Sequence, residues 1–151
     1  EELLVEEFTL VGPSESDLSP GQPVSLKDLW QYPLVLPATQ YQPESIRSFL
    51  KSLRDLSGRE PQISVVADSF HHTKGSVVAG LGYTLMPLSA FYHEARSGQL
   101  RYAPLRDPPM TRKIVMTTDP ASQFPRAAEL VKTLIKQEVT QLIADGVWPA
   151  M

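Results

Sequence analysis

The sequence predicts an α/β protein: a layered arrangement built around a substantially parallel sheet. Short apolar or β-branched segments alternate with amphipathic helical segments along most of the 151 residues. This alternation is typical of strands that are connected by helices. The apolar fraction is 42% and the charged fraction is 21%, close to the values of soluble globular chains. A chain of this length and composition can bury a sizeable core, and it corresponds to one domain or to one lobe of something larger.

The first third of the chain contains two predicted strands. Residues 3–11 are β-rich and partly alternate between apolar and polar side chains, and Gly12-Pro13-Ser14 ends this segment. Residues 24–30 carry enough apolar side chains for a short turn or helix beside a core. Residues 32–37 form a compact apolar run between prolines, which is typical of a short buried strand.

The middle of the chain predicts a helix, a strand and a second helix. From Glu44 to Leu56 apolar residues recur three or four positions apart, and Gly58 is expected to end this helix. Residues 62–67 are rich in β-branched side chains and predict a strand. Asp68 or Ser69 can then cap the following helix, which is expected to run to about Ala79.

The last part of the chain predicts three strands and two helices. Two glycines at positions 80 and 82 interrupt the preceding helix, and residues 83–86 continue as a short strand stopped by a proline. A short helix over 88–96 precedes strands at 100–104 and 112–117. After Ser122, apolar residues recur along one face of a long helix that Gly146 terminates.

Composition excludes several classes of function. Lys and Arg number 14 against 17 Asp and Glu, so this chain lacks the broad basic surface of a nucleic-acid binder. It contains no Cys, which removes disulfides, thiolate metal sites and cysteine nucleophiles. No apolar run approaches the roughly 18 residues of a membrane span, and the acidic start is unlike a signal peptide. We therefore expect a soluble protein that is not exported and does not contact a membrane, and the absence of Cys permits the cytoplasmic location that we expect.

Motifs for catalysis and metal binding are weak. His71 and His72 are adjacent, so on a helix their rings diverge by about 100° and do not converge on one ion. Asp68, Ser69 and His71 contain the residue types of a hydrolytic triad, but residues on one helical turn cannot adopt that geometry. Residues 80–85 resemble a dinucleotide fingerprint, but they follow a helix and precede a strand, the reverse of the required order. The sequence predicts no catalytic residue, no metal site and no cofactor.

Two predicted strand ends form a candidate binding site. Ala67, Asp68 and Ser69 lie where a strand is followed by a helix N-terminus, whose free N–H groups and dipole favour a small anion. The segment 37–40 follows another strand and supplies a hydroxyl and an amide. Ligands of open α/β sheets bind at the carboxyl ends of strands, so both segments are expected to line one crevice. The alternative is that Ser69 and Thr39 are only helix caps.

The segment 77–87, VVAGLGYTLMP, together with a preceding strand and Asp68-Ser69, resembles the effector-binding region of LysR-type transcriptional regulators. Further matching pieces follow in the family's order along essentially the whole chain. They are residues 8–13, 24–29, 33–37, 107–108 and the closing helix.

The resemblance implies a two-lobed fold similar to type 2 periplasmic binding proteins, with one complete lobe and part of the second. Residues 1–23 would be the crossing strand and connection from the first lobe, 24–110 the second lobe, and 111–151 the return strand and closing helix. Chain crossings are expected at 11–13 and 116–118. Carried onto this sequence, the family's effector contacts are Ala38, Thr39, Gln40, Ala67, Asp68, Ser69, Gly12, Pro13 and Thr117.

The resemblance further implies that a small, often anionic effector binds in the interlobe cleft and modulates transcription without covalent chemistry. DNA would be bound only through an N-terminal helix-turn-helix that these residues do not include. A homodimer or tetramer is expected for the parent protein. The alternative function is a solute-binding protein of a transport system, which shares this architecture, and an enzyme is the third hypothesis.

Overall fold

The chain passes twice between two compact groups of residues. The computed structural model describes residues 1–37, 43–118 and 125–150. One group is Phe8–Met110, and the other combines Glu1–Glu7 with Thr111–Met151. We refer to them as the 8–110 unit and the terminal unit.

A single long strand, β1 (Glu2–Pro13), contributes to both units. Its first half pairs with β7 (Thr111–Val115), and its second half pairs with β5 (Thr84–Pro87) and β6 (Leu100–Arg106). All three pairings are antiparallel. Because β1 continues without a break from one unit into the other, no turn residue marks the place where the chain crosses.

The crossing points therefore differ from the sequence-based expectation. The chain crosses between Glu7 and Phe8 and returns between Met110 and Thr111, and not at 11–13 and 116–118. Gly12 and Pro13 end a strand inside the 8–110 unit. Residues 8–23 consequently belong to the same unit as residues 24–110, instead of connecting to it from outside.

The sheet of the 8–110 unit is mixed. The strand order is β2-β6-β1-β5, where β2 (Val24–Ser25) is parallel to β6. Two further parallel strands, β3 (Leu34–Pro37) and β4 (Ile63–Ala67), continue from β5 through a parallel bridge between Leu34 and Tyr83. The prediction of a substantially parallel sheet holds for these outer strands. It fails at β1, which enters from the terminal unit and not through a helical crossover.

Helices cover the sheet of the 8–110 unit. They are α1 (Pro43–Ser57), α2 (Phe70–Val78) and α3 (Tyr92–Arg96), with 3₁₀ helices at Leu26–Gln31 and Leu88–Ala90. Among the described residues, no helix combines the length and apolarity that crossing a membrane requires.

Successive residues of β1 enter two hydrophobic clusters. Leu10 packs with Leu34 and Leu105, and Val11 packs with Val77 and Phe91. This alternation follows from the two-residue period of a strand. Burial of each such side chain contributes about 1.5–3 kcal/mol relative to exposure, so β1 joins both layers of the core.

The terminal unit contains the first half of β1, β7 and α4 (Pro125–Ala144), and its centre holds a buried carboxylate. Glu6 is 1% exposed. It accepts hydrogen bonds from Arg112 Nε at 2.5 Å and from Trp148 Nε1 at 2.8 Å. Trp148 reaches Glu6 because α4 ends at Ala144, and Gly146, with a φ of 68°, then turns the chain. The cluster ties the C-terminal tail to both strands of this unit.

Candidate functional site

The carboxyl ends of β3, β4 and β5 lie at one edge of the 8–110 sheet, because these three strands are mutually parallel. Pro37 at the end of β3 is the register partner of Ala67 at the end of β4. The segment that follows β3 therefore starts beside the segment Ala67-Asp68-Ser69. We call this the carboxyl edge of the 8–110 unit.

Ser69 caps helix α2, and it is one of the two residues, Asp68 and Ser69, that the sequence offered as the cap. Its side-chain oxygen accepts a hydrogen bond from the backbone N–H of His72 at 3.2 Å. Its carbonyl oxygen accepts from both the backbone N–H and the hydroxyl of Thr73, each at 2.9 Å. The backbone N–H groups of Phe70 and His71 make no hydrogen bond within the described part of the chain. These two donors remain open at the amino end of the helix.

Asp68 does not stand alone beside this helix end. Its carboxylate pairs with Nδ1 of His72, one turn along α2. The hydrogen bond with His72, supported by the charge of the imidazole, lowers the pKa of Asp68 below its ordinary value of 3.8. Both side chains are exposed, so the pair orients the carboxylate toward His72 and contributes little to stability.

The lowered pKa of Asp68 predicts a specific titration. In the folded protein the Asp68 carboxyl carbon, followed by NMR, should titrate with a midpoint below 3.8, and in His72→Ala the midpoint should rise towards 3.8. Since the folded pKa is depressed, the pair's contribution to stability is present above pH 3.8 and is lost as the pH falls through the lowered pKa. An unchanged midpoint in His72→Ala would show that the pair does not form in solution.

The other predicted residues of the 8–110 unit are not all brought to this edge. Gly12 and Pro13 lie at the opposite edge, because β1 is antiparallel to β5 and its carboxyl end lies beside the start of β5. Gly12 has a packing role there, since a Cβ at this position would lie 2.5 Å from the Tyr83 ring. Ala38, Thr39 and Gln40 lie outside the described residues.

Thr117 belongs to the terminal unit. It is exposed and lines a groove of about 360 Å³ between the end of β7 and the first turns of α4. Ala127, Val131 and Ile135 form the apolar wall of this groove. Among the nine predicted contacts, the structure thus brings Ala67, Asp68 and Ser69 together at one edge.

Two residues at the carboxyl edge were missed by the sequence analysis. Phe8 is the register partner of Pro87, so the point at which β1 enters the 8–110 unit lies at this edge. Ser89 lies two residues after the end of β5, in the 3₁₀ helix Leu88–Ala90. The proline that ends β5 was the available signal for Ser89. For Phe8 the sequence carried no such signal, because the direction of β1 relative to β5 is set by pairing between residues far apart in the chain.

The histidines do not form a metal site with carboxylates in the described ranges. No group of three or more His, Cys, Asp or Glu side chains suited to a metal ion occurs among those residues. The rings of His71 and His72 are 6.1 Å apart at 57° to one another. The Nδ1 atom of His72 pairs with the carboxylate of Asp68 and orients that carboxylate toward the helix.

Comparison with known families decides the classification. The model of the LysR substrate binding domain family matches residues 1–140 of this chain. The chain belongs to this family. The match covers β1 to β7 and most of α4, so both units of this LysR substrate-binding domain fall within the family pattern.

Individual relatives agree with this assignment. The chain is 27% identical over 147 residues to the HTH-type transcriptional regulator BbuR of Bordetella bronchiseptica, covering 97% of this chain and 44% of that protein. The reduced form of the OxyR regulatory domain from Pseudomonas aeruginosa has a TM-score of 0.67 at 20% identity, over 91% of this chain and 64% of that one. The effector-binding domain of QuiR in complex with shikimate has a TM-score of 0.65 at 17% identity, over 93% and 64%. These structures share the type 2 periplasmic-binding-protein-like fold of LysR effector-binding domains, and this chain spans less than two thirds of each relative.

Proposed function

We propose that this domain senses a small anionic metabolite for a LysR-type transcriptional regulator, and that the anion binds at the carboxyl edge of the 8–110 unit. The observation that carries the proposal is the amino end of α2. It directly follows β4, its cap is made by Ser69, and the N–H groups of Phe70 and His71 are not used by the described protein. Two open donors and the positive end of the helix dipole favour a carboxylate or another small anion.

The pairing of Asp68 with His72 supports an anionic ligand. A free carboxylate next to the helix end would repel an anion. Here the carboxylate is engaged by an imidazole of the same helix, which reduces that repulsion. Phe70, 54% exposed at the first position of α2, offers an apolar surface beside the donors. A carboxylic acid with an apolar body fits this combination.

The proposed mechanism makes and breaks no covalent bond. Effector binding shifts the equilibrium between arrangements of the regulator only by its different affinity for them. The output passes to DNA through a helix-turn-helix outside this chain, in a cytoplasmic homodimer or tetramer. This mechanism requires neither catalytic residues nor a cofactor.

The family assignment favours a regulator over the transport alternative. BbuR is a transcriptional regulator, and QuiR binds shikimate in its effector-binding domain. Shikimate carries a carboxylate, which agrees with an anionic ligand for this chain. We expect the effector of this protein to carry a negative charge as shikimate does, and the proposal does not require the carbon ring of shikimate.

A substitution that keeps the cap but adds charge tests the site. Ser69→Asp preserves an N-cap acceptor, so the melting temperature should stay within about 2 °C of the original, because Asp and Ser cap helices equally well. The added carboxylate should abolish binding at the carboxyl edge, measured as loss of the shifts that small carboxylic acids cause in the amide signals of Phe70 and His71 of the unmodified domain. Matched neutral amides serve as the uncharged counterparts. In the full regulator, the double variant Ser69→Ala and Thr39→Ala should weaken the effector response in a reporter assay.

A matched control separates the site from general effects. Ser97→Asp changes an exposed hydroxyl at the end of α3 and should leave both ligand binding and induction unchanged. If Ser69→Asp binds every carboxylic acid as tightly as the unmodified domain does, the site is not at the start of α2.

A further inference from the structure

A second groove lies at the end of the 8–110 unit opposite to the carboxyl edge. It has a volume of about 290 Å³ and lies where β6 begins. Leu100, the first residue of β6, is the register partner of Pro13, which identifies the opposite end of the sheet. Strand β2 pairs with β6 only at Leu105 and Arg106, so the start of β6 has no second neighbouring strand among the described residues. The groove follows this open edge.

An exposed arginine lines the groove. The Nε of Arg101 donates a hydrogen bond to the carbonyl oxygen of Ser14 at 2.8 Å, which anchors one side of the guanidinium. Its two terminal nitrogens make no hydrogen bond or ion pair in the described part of the chain. The carboxylate of Glu15, the next residue after Ser14, accepts a hydrogen bond from the Ser14 hydroxyl at 2.7 Å. Arg101 therefore keeps donors suited to a carboxylate.

The remaining walls of the groove are mainly apolar. Leu18 and Leu100 are 4% and 2% exposed and form its base, and Ala95 adds a methyl group from α3. The ring of Tyr102 is held edge-on against Phe91 with ring centres 5.7 Å apart. A preformed apolar concavity with one convergent cation is the pattern of a small-molecule site.

We propose that this groove binds a small carboxylic acid with a short apolar chain, as a second ligand site separate from the carboxyl edge. The carboxylate is held by the terminal nitrogens of Arg101, and the chain lies along Leu18 and Leu100. The site lies at the far end of the sheet from Ser69, so both ligands can be bound to one molecule at once.

Titration with hexanoate tests the proposal, with hexanamide as the uncharged counterpart. Amide signals of Ser19, Leu100 and Tyr102 should shift in two-dimensional NMR spectra of the whole domain. Arg101→Gln should weaken hexanoate binding about tenfold or more, because a charge-assisted pair is lost. Hexanamide should bind the unmodified domain as weakly as hexanoate binds Arg101→Gln.

Two control variants assign the result. Arg96→Gln removes another exposed arginine, whose guanidinium lies over the Tyr92 ring, and should keep the original affinity. Ser69→Asp should keep the shifts at Ser19, Leu100 and Tyr102. The proposal is overturned if hexanoate leaves these signals unmoved, if Arg101→Gln binds it equally well, or if the shifts disappear in Ser69→Asp.

Discussion

Arg112→Met should lower the free energy of unfolding of the terminal unit by about 1.5–3 kcal/mol. The substitution keeps an apolar stem of similar length but removes a cation that pairs with Glu6, whose side chain is 2% exposed. The carboxylate keeps the indole of Trp148 as a donor but loses the charge-assisted hydrogen bond from Arg112. Urea unfolding, followed by Trp148 fluorescence in a Trp30→Phe background, measures the change in this unit.

Lys113→Met is the matched control for Arg112→Met. Lys113 is the next residue of β7, and its ion pair with Glu2 is exposed on both sides, with side chains 69% and 47% accessible. Because water solvates Glu2 when its partner is removed, the loss should stay within about 1 kcal/mol. Equal losses in the two variants would contradict the view that burial of Glu6 makes its pair important.

Gly82→Val should destabilise the 8–110 unit by at least about 2 kcal/mol. A Cβ at this position would lie 2.5 Å from the carbonyl oxygen of Pro33 and 2.6 Å from the hydroxyl of Ser64. The backbone of Gly82 also has a φ of 152°, a value that residues other than glycine rarely adopt. The added side chain must push the start of β5 away from β3 and disturb the parallel bridge between Leu34 and Tyr83.

Gly75→Ala, in the same unit, should change the free energy of unfolding in the opposite direction to Gly82→Val. Gly75 lies inside α2, and a Cβ there would meet nothing within 4 Å. Alanine should therefore raise the free energy of unfolding by about 0.5–1 kcal/mol through its higher helix propensity. Thermal and urea unfolding of the two variants give the comparison, and an unchanged Gly82→Val would sink the close-approach explanation.

Local features of the site were predictable because they depend on neighbouring residues. The end of a β-branched segment at Ala67, followed by a capping residue, was sufficient to predict the start of α2 to within one residue. The hydrogen bond of Asp68 with His72 also joins residues only four positions apart. The sequence analysis nevertheless did not predict that these two side chains would pair. Several side-chain choices compete at an exposed helix end, and only packing selects one.

Long α4 illustrates the limit of periodicity. Its apolar residues recur on one side of the helix, as predicted, but only Val139 among the described ones is buried. Leu130, Val131 and Leu134 remain more than half exposed, because the two strands of the terminal unit cover only part of a 20-residue helix. Periodicity states which face is apolar, whereas burial depends on what lies opposite that face.

By itself, the sequence determined where strands and helices alternate, that Asp68 or Ser69 caps α2, and the family to which the domain belongs. These properties are local, or they depend on the order of short motifs. The tertiary structure alone decided that β1 runs antiparallel to β5, which places Gly12 and Pro13 at the edge opposite to Ser69. It alone decided that Glu6, an ordinary surface residue by type, is enclosed by Arg112 and Trp148. Pairing between residues far apart in the chain creates these relationships, and no local pattern records which partner a strand or a carboxylate will meet.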